Sequence, residues 1–317
     1  MYFDFIGKRK WWYALSLLVI IPGLIAMVLH RPLLNFGIDF TGGNILEVKF
    51  QQPVNSAQVR EVMDSLNLSQ SSIQESGTNE FLIRSKEMDE NQIAQVTGAL
   101  QTKLGKMEVI RNDHVGAVIG RELEIKALEA MALAWVLMII YITLRFGDFL
   151  AGLTAILALV HDVLVVTGFF AFFRWEVDSG FVAALLTIIG YSVHDTIVIY
   201  DRVRENLRLR KRETFEEIVN KSINQTLRRS INTVVTVLIP LVALLVLGGE
   251  STKGLALAML IGTISGCYSS IFNASPLWVD LRRLTRERHR RAAISGAAVK
   301  AEGKAANGTK ARRATSH

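Results

Sequence analysis

Cysteine is almost missing from this chain of 317 residues, which holds only Cys267. One thiol excludes an internal disulfide framework and a Cys-rich metal site. Cys267 lies inside an apolar block and reads as a small packing residue. No Gly-x-x-x-x-Gly-Lys-Ser/Thr loop occurs, so energy should not come from ATP bound to this chain. The segment 30–127 carries no set of His, Asp and Glu at metal-ligand spacing. Charge is also thin for a soluble enzyme of this size, at 21% of residues against 50% apolar. These absences leave no expectation of a cofactor, a metal, enzymatic chemistry or a nucleic-acid partner.

What the chain has is long apolar blocks. Six stand out, about Trp12–Leu29, Leu128–Leu144, Phe149–Phe173, Phe181–Tyr200, Ile231–Leu247 and Leu255–Val279. Each is close to the roughly 20 residues of helix that cross a bilayer. The first follows Lys8-Arg9-Lys10 as a signal peptide would, but its exit, Val28-Leu29-His30-Arg31-Pro32, offers no small-x-small cleavage site. It reads as an uncleaved anchor. With the N-terminus inside, the inner segments 1–11, 145–148, 201–230 and 280–317 hold 24 Lys and Arg, against 2 in the short outer loops 174–180 and 248–254. That bias places both termini in the cytoplasm and 30–127 outside the membrane, in the periplasm.

Segment 30–127 has the pattern of a small soluble domain. Ile45-Leu46-Glu47-Val48-Lys49-Phe50 alternates as a half-buried strand does. Asn55 and Ser56 can cap a helix with Val59, Val62, Met63 and Leu66 on one face. A weak strand near Ile73, a strong one at Phe81-Leu82-Ile83, a helix over about Asp89–Leu104 and a strand near Met107–Arg111 follow. This β-α-β-β-α-β order is the ferredoxin-like signature. The expected fold is an α-helical polytopic membrane protein with six transmembrane helices and a small α+β domain. Its parts are 1–29 (N-terminus and first span), 30–127 (exported domain), 128–279 (the other five spans) and 280–317 (tail). The tail carries 11 Lys and Arg against 3 acids and no apolar periodicity, so disorder is expected. It reads as a topology signal with a solvated end, or more sharply as a contact for anionic lipid or ribosomal RNA.

Ionisable residues inside spans cost roughly 2.5–3.5 kcal/mol each at mid-helix on insertion scales, so each is a functional candidate. His161-Asp162 sits in the third span and His194-Asp195 in the inner half of the fourth. Arg229 opens the fifth, followed by Asn232, Thr233 and Thr236. Counted from the outer ends of their spans, Asp195 lies roughly 21 Å deep and Arg229 roughly 27 Å. A packed fourth and fifth span could therefore pair them. An aspartate that alternates between an arginine and a proton is a relay; a static ion pair, or an arginine snorkelling to headgroups, is the plainer alternative. For Asp162 the plainer reading is helix packing through a hydrogen bond with His161. After the fourth block, Tyr200–Leu207 continues without a breaker, either as a projecting helix or as an interfacial loop.

Three separated motifs carry a resemblance. Gly37-Ile38-Asp39-Phe40-Thr41-Gly42-Gly43 follows the first span. Gly190-Tyr191-Ser192-Val193-His194-Asp195-Thr196-Ile197-Val198 leads to Asp201-Arg202-Val203-Arg204-Glu205-Asn206-Leu207. Leu227-Arg228-Arg229-Ser230-Ile231-Asn232-Thr233 opens the fifth span. In this order and on this topology they resemble the SecF family of the bacterial Sec machinery, within the resistance-nodulation-division superfamily. The resemblance implies an inner-membrane subunit that works with SecD on the SecYEG channel, using the proton gradient to pull unfolded exported polypeptide outward. It also implies YajC or YidC as further partners. The family's proton-path Asp maps onto Asp195 and its partner Arg onto Arg229. The family usually has Asn where this chain has His194, so His194, with His161 and Asp162, is a candidate secondary proton or packing site. Asp39, Phe40, Thr41, Gly42 and Gly43 read first as a structural turn, with Gly42-Gly43 supplying backbone freedom and Asp39 bonding nearby amides. A proton-driven exporter of small hydrophobic molecules is the alternative within the superfamily. An intramembrane aspartyl protease pair, Asp162 with Asp195, lacks the Gly-x-Gly-Asp motif: Ser192, Val193 and His194 precede Asp195. A passive scaffold would leave the buried Asp and Arg without a purpose.

Overall fold

A computed structural model describes residues 2–30, 32–69, 71–209 and 212–288. Six of its helices are long and apolar enough to cross a membrane. The chain begins with α1 (Arg9–Leu29), the short strand β1 (Asn35–Phe36) and a single turn, α2 (Ile38–Thr41). An α+β unit follows, with β2 (Gly43–Phe50), α3 (Ser56–Ser65), β3 (Ser72–Gly77), β4 (Glu80–Ser85), α4 (Glu90–Leu104) and β5 (Met107–Val115). The remainder is α5 (Ala117–Phe146), α6 (Phe149–Phe173), β6 (Glu176–Val177), α7 (Ser179–Leu209), α8 (Phe215–Leu247) and α9 (Glu250–Ser269). A π-turn, Ser270–Ala274, joins α9 to a further helical stretch, 275–288.

The α+β unit is one antiparallel sheet in the order β3-β4-β2-β5. Alternation gives the sheet two faces. Leu46, Val48 and Phe50 of β2, with Phe81 and Ile83 of β4, pack on Val59, Val62 and Met63 of α3 and on Val96 and Leu100 of α4. Ile45 and Leu82 point the other way and join Ile38 of α2. Both helices start where the sequence predicts. Asn55 and Asp89 each accept from the amide three residues on, and Gln58 and Gln92 reach back to close capping boxes.

In the bundle, α6, α7 and the helix running from α9 to residue 288 are central, with half of their apolar stretches buried. The outer helices α1, α5 and α8 present leucine, isoleucine and valine outward, as helices facing lipid do. Small residues set the closest approaches. A Cβ on Gly23 of α1 would stand 2.5 Å from Gly168 Cα of α6. On α9, a Cβ on Gly266 would stand 2.8 Å from the Ser192 side chain of α7.

Three helix limits differ from the apolar blocks, each for the same reason: hydropathy marks the lipid-exposed part of a helix, not its ends. Helix α5 begins at Ala117, so 117–127 belongs to the second span's helix rather than to the α+β unit. Its first turns carry Glu122, Glu124 and the Lys126–Glu129 pair, which are good helix formers of low hydropathy. Helix α8 begins at Phe215, four turns before the fifth apolar block, behind a Thr214–Glu217 capping box. Residues 281–288, expected to be disordered, continue the last helix and carry an Arg283–Glu287 pair. Tail residues 289–317 lie outside the described residues. The stretch Tyr200–Leu207 is helical, as the last part of α7.

Candidate functional site

The two aspartates of the bundle are held in opposite ways. Asp162, on α6, is wholly buried and accepts hydrogen bonds from three serine hydroxyls. Ser192 of α7 reaches Oδ2 at 2.7 Å, Ser265 of α9 reaches Oδ1 at 2.7 Å, and Ser269 reaches Oδ2 at 2.8 Å. His161 Nδ1 lies 3.1 Å from Oδ1 and its ring stacks on Tyr268, centroids 5.9 Å apart. One carboxylate thus joins α6, α7 and α9, with the predicted His161 contact as one of four.

The surrounding polar contacts extend this knot along α7. Thr196 and Ser270 share a hydrogen bond of 2.8 Å, and Ser270 also donates to the Ser192 carbonyl. A π-turn widens the helix and frees carbonyls. Ser275 donates to the Ser270 carbonyl and Tyr200 to that of Ala274. Pro276, which has no N–H to continue the ladder, follows directly.

Asp195 is 8% exposed and has one partner, Ser230 of α8, whose hydroxyl donates to Oδ1 at 2.6 Å. Its Oδ2 is buried with no hydrogen-bond partner among the described residues. Arg229 is exposed and forms no ion pair with Asp195; the residue that touches the carboxylate is its neighbour. His194 is exposed on the outer side of α7, away from the Asp162 knot. Lower down, Asn206 of α7 donates to Ser222 and Gln225 of α8, so the two helices stay paired beyond the apolar block.

The motif after the first span is a junction. β1 pairs in parallel with β6, Asn35 opposite Glu176 and Phe36 opposite Val177. Asp39 does not bond its neighbours as expected; its Oδ2 accepts from the amide of Ser179, the first residue of α7, at 2.7 Å. A carboxylate there satisfies a free amide and complements the positive helix end. Gly43 takes φ +132°, and a Cβ would meet the Ser85 carbonyl oxygen at 2.5 Å. Phe40 packs on Phe36, its ring at 6.0 Å, while Thr41 donates back to the Gly37 carbonyl. An Arg84–Glu176 ion pair then fastens β4 of the α+β unit to β6.

The serines Ser192, Ser230, Ser265, Ser269 and Ser270 were not predicted as site residues. A single serine is unremarkable in a span, but Ser265, Ser269 and Asn273 fall at successive fours on one helix face, with Ser270 and Ser275 beside them. That stripe was the available signal.

Six helices able to cross a membrane, with two buried aspartates among them and a folded unit tied to the α6–α7 loop, define a multi-pass membrane protein with ionisable groups in its helical core. The chain belongs to the SecD/SecF family of protein export membrane proteins: the family model for the SecD/SecF C-terminal region matches residues 95–284, and that for the SecD/SecF GG motif matches 34–54. It is 42% identical over 258 residues to protein translocase subunit SecF of Sebaldella termitidis, covering 80% of this chain and 83% of that one. It is 38% identical to protein translocase subunit SecDF of Bacillus subtilis, covering 87% of this chain but 38% of that one. The crystal structure of SecDF, a translocon-associated membrane protein from Thermus thermophilus, superposes with a TM-score of 0.81 at 33% identity. That match covers 89% of this chain and 39% of the SecDF chain, so this chain spans about two fifths of the SecDF proteins it resembles. These relatives are translocase proteins, in line with the export reading rather than the small-molecule exporter.

Proposed function

We propose that the chain is the SecF-like half of a two-unit export machine of the bacterial inner membrane, and that Asp195 is its proton relay. The observation that carries this is the contrast within one bundle: among the described residues Asp162 has four hydrogen-bond partners, whereas Asp195 has one and keeps a buried oxygen without any. A carboxylate bound on all sides is a clamp. One bound on one side can take up and release a proton without dismantling the helix packing. Ser230 holds it, and Arg229, next along α8, is close enough in sequence to swing toward it when the helices shift.

In this reading both termini are cytoplasmic, as the basic segments direct, and the α+β unit is a ferredoxin-like domain in the periplasm. That strand order and the two helices on one face support the assignment. Proton flow through Asp195 would move this domain and draw unfolded polypeptide out of the SecYEG channel. SecD would be the second six-span unit, consistent with fused SecDF relatives more than twice as long as this match. Its place would be the side of α7 and α8 that exposes Thr187 and His194 on the one and Asn232 and Thr236 on the other, polar side chains better covered by protein than by lipid.

The test is Asp195→Asn, which keeps an acceptor for Ser230 but cannot carry a proton. Export of a secreted reporter is measured in membrane vesicles with and without a proton gradient, at matched subunit levels. The gradient-dependent part should be lost while assembly with SecD persists. Undiminished gradient-dependent export would remove Asp195 from the proton path.

A further inference from the structure

At the basic end of the bundle, a groove of about 470 Å³ opens between the α5–α6 turn, the last turns of α7 and the helical stretch 275–288. Its walls carry Arg204, Arg282 and Arg286, and its floor is Phe146, Leu150, Leu207 and Trp278. Asp148 is the acid in the lining; its Oδ1 accepts from the Leu150 amide at 2.9 Å and its Oδ2 from the Trp278 indole at 3.1 Å, which fix its position and leave its charge in place. The arginines are oriented by the fold. Arg204 donates to the Arg145 carbonyl at 3.1 Å; the Arg282 guanidinium lies over the Phe215 ring at 4.2 Å, at the rim where Arg282 and Arg286 also face a neighbouring pocket with Glu216 and Glu287. Asp201, the nearest acid on α7, is paired with Arg145. Three arginines against one carboxylate leave the groove's own lining net cationic over apolar side chains, with Glu216 and Glu287 beyond its rim.

We propose that this groove binds the phosphate headgroup of an anionic phospholipid. Planar guanidinium groups match phosphate oxygens in pairs. The apolar floor selects a lipid over a free phosphate, because an acyl chain can leave the groove along the apolar surface beside it. Leu144, Phe149 and Leu284, next to the groove in sequence, are all more than half exposed and belong against lipid. The chain's own segment after residue 288 is rich in lysine and arginine, so it has the wrong sign to fill the groove. A bound headgroup would join the inner ends of α5, α6, α7 and the last helix, and so fix the base from which α7 and α8 move.

The experiment uses the full chain in nanodiscs holding phosphatidylglycerol and phosphatidylcholine of matched acyl chains, with retained lipid counted by native mass spectrometry. Phosphatidylglycerol should be preferred, and Arg282→Gln with Arg286→Gln should cut that preference at least about tenfold. Arg208→Gln, an exposed arginine at the same end but outside the groove, is the control for charge alone. Melting temperature in lipid-free detergent separates lost binding from lost folding. An equal loss with Arg208→Gln, or a preference indifferent to Arg282 and Arg286, overturns the site. Displacement of the retained lipid by millimolar inorganic phosphate would overturn the lipid in favour of a free anion.

Discussion

Asp162 and Asp195 differ by what surrounds them, and that difference is measurable. Interhelical hydrogen bonds in membrane proteins average about 0.6 kcal/mol each, so the three serine contacts of Asp162 are worth roughly 2 kcal/mol together. Asp162→Ala should lower the unfolding free energy of the chain in detergent by about that amount, with whatever export it loses following from instability. Asp195→Asn should leave stability within about 0.5 kcal/mol, because the Ser230 bond survives, yet remove gradient-dependent export. If both variants lose stability alike, the two aspartates share one structural role. Both were visible in the sequence because a charge interrupts an apolar run. Their serine partners were not, since a serine can satisfy itself on its own helix and leaves hydropathy little changed. Arg229 was also visible, but which of Arg229 and Ser230 faces α7 depends on a helix rotation of one residue that no pattern fixes.

At the scale of elements, the outer junction decides how the α+β unit is attached. β6 meets β1, Asp39 caps α7, and Glu176 pairs with Arg84. Burial pushes the Glu176 carboxyl above its usual range, with Asp178 and Asp39 adding to the rise and Arg84 opposing it. Burial likewise raises Asp178, again with Asp39 adding to it. Arg111, Arg174, Glu75 and Lys253 line the same cavity. A carboxyl that binds its proton more tightly when docked favours docking at low pH, and that contribution is lost as pH rises through the raised value. The docked fraction should therefore fall from the ordinary carboxylate range near pH 4 upward. Distances between spin labels at Thr102→Cys on α4 and Ala243→Cys on α8, in a Cys267→Ser background, report it. Glu176→Gln, a mimic of the protonated form, should flatten most of the dependence; an unaltered pH profile in that variant would exclude Glu176 as its source. The strands of this unit and the Asn55 cap were legible, since alternation and side-chain caps act within a few residues. The Asp39–Ser179 contact was not, because it spans 140 residues.

For the whole molecule, the six spans were legible because their apolar surfaces are set by solvent, while the order in which helices pack was not, because every span offers the others similar leucine, valine and small-residue faces. The outer surface resolves part of that order. Lipid suits the exposed Leu133, Val136 and Leu137 of α5; it suits less well Thr187 and His194 of α7, or Asn232 and Thr236 of α8, which are exposed among Ile231, Val235 and Ile239. Polar side chains at membrane depth turn toward protein or a water-filled cavity. A second six-span unit packed there would shield these polar side chains and cover the α7–α8 pair that holds Asp195 and Ser230. Single cysteines at Thr187 and Asn232 should then cross-link to SecD in intact membranes, whereas one at Val136 should not. Cross-linking from Val136 in place of Thr187 and Asn232 would move the partner to α5 and leave the exposed polar side chains of α7 and α8 without the protein cover argued for them. Cross-linking at Thr187 alone would place the partner on α7 and leave α8 free to slide past Asp195, carrying Ser230 away and Arg229 in.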